Sequence, residues 1–343
     1  MMIRTMYKDY IPYSHVATTT NSQVFLATKI NDSSFKTYIM KIVQRSHRNP
    51  KAISNLEGEI RIMQKIDHPN IIKLLDMIYD QDEVTLVIEY GENGDLVKYL
   101  NEKGVIDLNT TLSIMRNIFD AIAYLHARNI AHRDIKLENI VISADGKPKL
   151  IDFGLSKEYI NNENPNYESL QAMSGKILKT TFCGTYEYMA PELFEKHVFY
   201  DPFAADVWAA GMCLYVLYNG FFPWVDSEFG ACDQIRRTKI SIPRTWPAII
   251  RRVVSMALEI DPCKRAKAKD ILNEMDNFAN NQEIPMPKLF SNEVCKSSPA
   301  VLQQKSKVSP IRKRKIIVPN ILKMMHPKYS DSKGNDSILC NMK

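Results

Sequence analysis

At 343 residues the chain has room for one large or two ordinary domains, and a hydrophobic share of 45% is enough to fill a globular core. Six cysteines, at 183, 213, 232, 263, 295 and 340, form no Cys-x-x-Cys pair and no Cys/His cluster; this argues against a disulfide framework or a zinc site and fits a reducing cytosol or nucleus. The net charge of +6 is uneven: from Gln282 onward there are 12 Lys/Arg against 4 Asp/Glu, leaving 33 against 35 before it, so the basicity belongs to the tail.

In chain order, the first ten residues carry charges and lack the apolar core of a secretory signal. Strand-like runs follow at Val24–Ala27 and Tyr38–Val43. The second holds Lys41, and a lysine inside an apolar strand costs desolvation unless an anion accompanies it. A lone lysine there would simply snorkel to solvent. The spacing over Ala52–Ile66 predicts a helix, and its Glu59, eighteen positions after Lys41, is the candidate partner; Glu57 would face elsewhere. Leu86–Gly91 reads as a further strand running into a connector. Asp95 then precedes the helical stretch Leu96–Leu100, placed either to cap it or to meet a ligand or a basic side chain. Leu108–His126 is periodic over about five turns. Next come two short apolar runs, Ile140–Ile142 and Leu150–Ile151, flanking Asp145-Gly146, the pattern of a tight β-hairpin. The hairpin brings Asp134, Lys136 and Asn139 to the same end of a small sheet as Asp152; the two carboxylates and the amide are oxygen donors suited to a hard cation such as Mg2+, and a spare carboxylate can orient a hydroxyl. The apolar stretch Val207–Trp224 is interrupted by Asn219, Gly220 and Pro223 and reads as a buried helix rather than a membrane span. Beyond Gln282 periodicity gives way to Pro, Ser, Lys and Asn, predicting disorder.

His132-Arg133-Asp134-Ile135-Lys136-Leu137-Glu138-Asn139 and Asp152-Phe153-Gly154 resemble the catalytic loop and Asp-Phe-Gly motif of eukaryotic protein kinases. Lys136 together with Gly184-Thr185-Tyr186-Glu187-Tyr188-Met189-Ala190-Pro191-Glu192 resembles the serine/threonine type, nearest the calcium/calmodulin-dependent and energy-sensor-like groups. The resemblance covers about residues 10–278. It implies an α+β, bilobal protein-kinase fold: a β-rich N-lobe over about 10–90 and a mostly helical C-lobe over about 91–278. Residues 160–175 read as a flexible activation-segment insertion and 282–343 as a basic, disordered tail.

The same resemblance implies roles. Asp134 is the base or orienter for the acceptor hydroxyl, Lys136 neutralises charge on the moving phosphoryl group, and Asn139 and Asp152 hold Mg2+. ATP is bound by Lys41 with its partner Glu59, by Val24, Ala17 and Ser22 of the phosphate loop, by the backbone of Glu89 and Gly91, and by Val141, with Ile88 as gatekeeper. Glu138 stands where basophilic members contact a substrate arginine. Arg133 and Lys157 would receive a phosphate on Thr181, with Thr180 as the neighbouring candidate. Asp206 tethers the catalytic loop, and Glu192 pairs with Arg265. Two features depart from the family pattern: Ala17, Thr19 and Ser22 occupy the three phosphate-loop glycine positions, and Ile39 replaces the alanine that lies against adenine.

The implied function is transfer of the γ-phosphoryl group of Mg-ATP to Ser/Thr hydroxyls of protein substrates, basic peptides among them. The alternative is a non-catalytic, kinase-shaped scaffold with weakened nucleotide binding. An upstream kinase or autophosphorylation would act on Thr181; neither nucleic acid nor membrane is an expected partner. Calmodulin could bind the basic stretch Arg312–Lys315 and the apolar run after it, but Pro319 breaks the helix such binding needs. Location is expected to be cytoplasmic, or nuclear if that stretch is a localisation signal.

Overall fold

The structure is a computed structural model that describes residues 7–19, 22–34, 36–45, 50–159, 186–194, 200–224 and 240–282. The expected insertion at 160–175, Thr180, Thr181 and the tail beyond Gln282 lie outside these residues.

The N-terminal lobe is one antiparallel sheet in the order β1-β2-β3-β5-β4, built from Tyr10–Thr18, Ser22–Lys29, Thr37–Gln44, Glu83–Glu89 and Leu74–Tyr79 respectively. Strand alternation divides its side chains between two faces. Tyr10, Ala27, Tyr38, Met40 and Val87 pack together on one face. On the other, Val43, Val84 and Leu86 receive Leu56 and Ile60 of helix α1 (Pro50–Lys65). The remaining positions of that second face are Val24, Leu26, Ile39, Lys41 and Ile88, which look down into a cleft.

The C-terminal lobe is helical: α2 (Leu96–Lys103), α3 (Leu108–His126), α4 (Pro202–Asn219), α5 (Ala248–Ala257) and α6 (Ala268–Gln282). Three of the five N-termini are capped by an aspartate. Asp95, Asp107 and Asp201 accept from the amides of Lys98, Thr110 and Phe203, satisfying donors that the helix itself cannot. Asp201 is followed by Pro202, which loses nothing at a first helical position. Helix α4 is apolar on all sides and buried over most of its length, the signature of a helix surrounded by protein. It extends four residues before Asp206, where its apolar pattern begins. Its Gly211 lets α5 approach, because a β-carbon there would lie 2.6 Å from that of Ala257.

Strands β7 (Ile140–Ile142) and β8 (Pro148–Leu150) form the expected hairpin, with Ile140 opposite Leu150 and Gly146 at φ 79° in its turn. A second small ladder pairs β6 (Ile130–Ala131) with β9 (Lys157–Glu158). The bilobal α+β architecture is therefore the one the resemblance implies. Among the described residues no helix is long and apolar enough to cross a membrane.

Candidate active site

Between the lobes lies a cavity of about 380 Å³. The sheet contributes Val24, Leu26, Ile39 and Ile88 as its roof, and Val141 and Ile151 form its floor. Glu89, Tyr90 and Gly91 close one side, where the chain crosses between lobes. A β-carbon on Gly91 would stand 2.5 Å from Val141 Cγ2, so this position admits no side chain while Val141 holds the floor. Of the phosphate-loop residues named from sequence, Val24 and Ser22 line the cleft, together with Val16 and Thr19. Ala17 is not part of the lining: a bulge between His15 and Ala17 shifts the alternation of β1, so Val16 points inward. Val16, Leu26, Met63, Ile72 and Ile151 are lining residues that the sequence did not single out; strand alternation would have flagged Leu26 once Val24 was placed.

At the back of the cleft Lys41 Nζ donates to both oxygens of Glu59, at 2.7 and 2.9 Å. Burial alone would lower the lysine's pKa, but Glu59 and Asp152 outweigh it and raise it, so Lys41 is a fixed cation. Asp152 is enclosed on most sides by protein but opens onto the cleft. That enclosure would raise its pKa; the charge of Lys41, then the Gly154 amide, then His132 and Lys136, hold it below the usual carboxylate value. Its backbone sits at φ 64°, rare for a non-glycine residue, and the Gly154 N–H donates to its Oδ1 at 3.2 Å.

Asp134 is clamped from two directions. Lys136 Nζ reaches its carboxylate oxygens at 3.0 and 2.8 Å, and Asn139 Nδ2 donates to both its Oδ2 and its carbonyl at 2.8 Å. The loop beneath is bonded in depth. Asp206 accepts from the amides of His132 and Arg133 at 2.7 Å each and lies 3.1 Å from His126 Nε2. These bonds hold Arg133 at φ 67°. Burial lowers the pKa of His132 despite Asp206, Asp134 and Asp152. The neutral imidazole fits its contacts: Nε2–H donates to the Ile151 carbonyl at 3.1 Å, and Nδ1 accepts from the Asp134 amide at 3.3 Å. The ring stacks edge-on against Phe153 at 4.9 Å. His132 therefore joins the segment bearing Asp134 to the segment bearing Asp152.

Beside this loop, burial raises the pKa values of Glu138 and Glu187, and the charge of Glu138 adds to the shift of Glu187. Each has one buried carboxylate oxygen with no partner among the described residues. Arg133 Nε is likewise unpartnered among them, and Lys157 pairs in register with Ala131, two residues from Arg133. Far from the cleft, Arg265 meets Glu192 in a buried fork at 2.7 and 2.9 Å and also donates to the carbonyls of Ala204, Glu259 and Ile260.

The oxygen chemistry of the site suits a hard cation. Among the described residues no cluster of three or more His, Cys, Asp or Glu side chains could hold a metal alone. One carboxylate, Asp152, and the carbonyl oxygen of Asn139, whose amide nitrogen is spent on Asp134, form an incomplete set. That is the donor number Mg2+ uses when phosphate oxygens and water complete its shell.

Comparison with known proteins agrees. The chain is 31% identical over 235 residues to a Dictyostelium discoideum protein described as "Probable serine/threonine-protein kinase MARK-A", covering 68% of this chain and 21% of that protein. It is 29% identical over 266 residues to CBL-interacting protein kinase 8 of Oryza sativa subsp. japonica (77% and 56%). To Aurora kinase of Dictyostelium discoideum it is 33% identical over 219 residues (64% and 53%). The chain thus spans between about a fifth and just over half of the length of these relatives. The family model described as the protein kinase domain matches residues 14–275, which takes in both lobes and every cleft residue described above, and the chain belongs to that family.

Proposed function

We propose that this chain is an ATP-dependent protein serine/threonine kinase. One observation carries the reading: Lys41 paired with Glu59 lines a single interlobe cleft with Asp152, and His132 ties the segment bearing Asp152 to the loop in which Asp134 is bonded to both Lys136 and Asn139. In this reading Lys41 neutralises the α- and β-phosphates, and the apolar faces of Val24, Ile39 and Val141 enclose the base. Asp134 orients a substrate hydroxyl and accepts its proton. The hydroxyl oxygen bonds to the γ-phosphorus as the bond to the β–γ bridging oxygen breaks, and ADP leaves. Lys136 offsets the charge spreading over the transferred group. Mg2+, held by Asn139 and Asp152, would supply the remaining charge neutralisation.

The finer assignments belong to the same proposal. The kinase domain is taken as residues 10–278, nearest the calcium/calmodulin-dependent and energy-sensor-like groups. Glu138, with Glu187 beside it, would meet a basic side chain of a peptide substrate, whose charge would partner carboxylate oxygens that are buried without one among the described residues. Arg133, whose Nε lacks a partner among the described residues, and Lys157 would receive phosphorylated Thr181. Asp206 holds the loop, the Glu192–Arg265 pair is architectural, and location is cytoplasmic or nuclear. The scaffold alternative gains no support from the relatives, each of which is described as a kinase.

The test is phosphate transfer to a basic peptide with Mg-ATP, wild type against Asp134→Asn. The variant keeps the shape of the residue and its bond from Lys136 but loses the proton acceptor. Transfer is expected to fall by about 10²–10⁴-fold while Mg-ATP still raises the melting temperature of both proteins. Equal transfer by both proteins, or none by either, would overturn the assignment.

A further inference from the structure

The tip of the β1–β2 hairpin has no glycine, and the structure shows what stands there instead. Thr19 and Ser22 both line the cleft, and Ser22 is 9% exposed. The Thr19 amide donates to the Ser22 carbonyl at 2.8 Å, and the Ser22 amide donates to Thr19 Oγ1 at 3.1 Å. The two hydroxyl oxygens stand 2.8 Å apart in a further hydrogen bond. One residue before Thr19, Thr18 Oγ1 lies 2.7 Å from His15 Nε2, bracing the outgoing strand. Glycine-rich phosphate loops work by leaving backbone amides open and the backbone pliable. Here the amides at 19 and 22 are turned into the hairpin, and threonine is stiff at its branched carbon.

We infer that Thr19 and Ser22 are positioning residues: their hydroxyls form a clasp that fixes the facing ends of β1 and β2 at the cleft before nucleotide arrives. Strand ends joined in advance at Thr19 and Ser22 have less freedom to lose when phosphate binds, which reduces the entropy lost on binding. Lys41 and the metal-holding residues then carry the electrostatic share that open amides would have supplied. The inference rests on the nucleotide-binding reading above and deepens it.

The experiment measures KM for ATP, kcat, and Mg-ADP affinity by calorimetry. The proteins are wild type, Thr19→Val, Ser22→Ala, the double variant and Thr19→Ser. Thr19→Val keeps the branched shape and removes the hydroxyl; it should weaken KM and Mg-ADP affinity by about three- to tenfold, the worth of one net hydrogen bond. Thr19→Ser should restore both to within about twofold of wild type, since it returns the hydroxyl. The double variant should be little worse than either single one, because a clasp is lost once. In all variants kcat and the peptide KM should change far less than the ATP KM. A simple loss of folding would instead move every parameter and the melting temperature together. Unchanged nucleotide affinity in Thr19→Val, or a double variant equal to the product of the singles, overturns the clasp. If wild type binds Mg-ADP without transferring phosphate, the kinase reading fails, and the affinity series still decides the clasp.

Discussion

Ile39 shows what a single side chain does in this cleft. It lies opposite Leu26 on one neighbouring strand and Ile88 on the other, so three branched side chains form a row across the roof. Replacing it by alanine removes three carbons from the roof of the cleft. The loss of apolar area would ordinarily weaken binding, but on the proposed reading a base lies against this row, and a side chain larger than the family's alanine would crowd it. Ile39→Ala should therefore tighten ATP, lowering its KM by about threefold or more, while costing about 2–5 kcal/mol of stability if the neighbours do not collapse onto the gap. Steady-state kinetics with a denaturation curve checks both, and a raised KM would show that Ile39 fits the base. At this scale the sequence was informative where chemistry is unusual. A lysine in an apolar strand needs an anion, and Glu59 is that anion at 2.7 Å. It was silent on Ala17 against Val16, because a register shift between His15 and Ala17 interrupts the two-residue alternation there and leaves no mark in composition.

Elements were legible in proportion to how regular they are. The periodicity over Leu108–His126 predicts α3 residue for residue, and the Asp145-Gly146 turn predicts the β7–β8 hairpin. In the five-stranded sheet, the strands that the pattern does not reveal are β1 and β4, its two edges, and both carry register shifts, at Pro12/Ser14 and His15/Ala17 in β1 and at Leu74/Asp76 in β4. An edge strand broken by bulges loses the two-residue period on which such a reading relies. The junction of α4 with the Pro191–Phe194 turn and the segment before α6 is different, because it is held by one ion pair. Arg265 is fully enclosed, with its guanidinium 5.0 Å from the Trp208 ring, and Glu192 is 8% exposed. Arg265→Leu would strand the Glu192 carboxylate in that interior and should cost about 3–5 kcal/mol. The double change Glu192→Leu with Arg265→Leu should recover much of it, since no charge is then left buried. Urea midpoints of the two variants decide this; equal loss in both would mean that the hydrogen bonds of Arg265 to three carbonyls matter more than its pairing.

Across the whole molecule, the proposed function draws on two lobes that would contribute opposite halves of one site: Lys41 and Glu59 from above, Asp134, Asn139 and Asp152 from below. Few polar links join them. Asn70 Nδ2 donates to the Pro148 carbonyl at 2.8 Å, and Leu150 exchanges backbone hydrogen bonds with Asn70 and Ile72. Lys65 of α1 grips Glu158 of β9 at 2.7 Å on the surface. Most telling is Lys149 of β8, which reaches up to Glu89 at the end of β5 at 3.1 Å with side chains only 9% and 18% exposed. Glu89 is also where the chain turns from sheet to connector, so this pair fixes the hinge itself. Lys149→Met keeps the stem of the side chain and removes the charge, leaving Glu89 partly enclosed without its cation. Partial exposure limits the cost, so the melting temperature should fall by about 2–4 °C, as for about 1 kcal/mol in a domain of this class. On the proposed reading nucleotide contacts both lobes, so saturating Mg-ATP should stabilise wild type and variant alike, by about 2.7 kcal/mol at a hundredfold excess over Kd. If hinge geometry matters to binding, the variant should gain less than wild type at equal nucleotide concentration, because part of the binding energy goes into restoring the lobe arrangement. Calorimetric scans with and without Mg-ATP separate the cases: an equal gain in both proteins would make Lys149 a local support only, whereas a smaller gain with a broadened or split transition would identify it as the residue through which the lobes unfold as one unit.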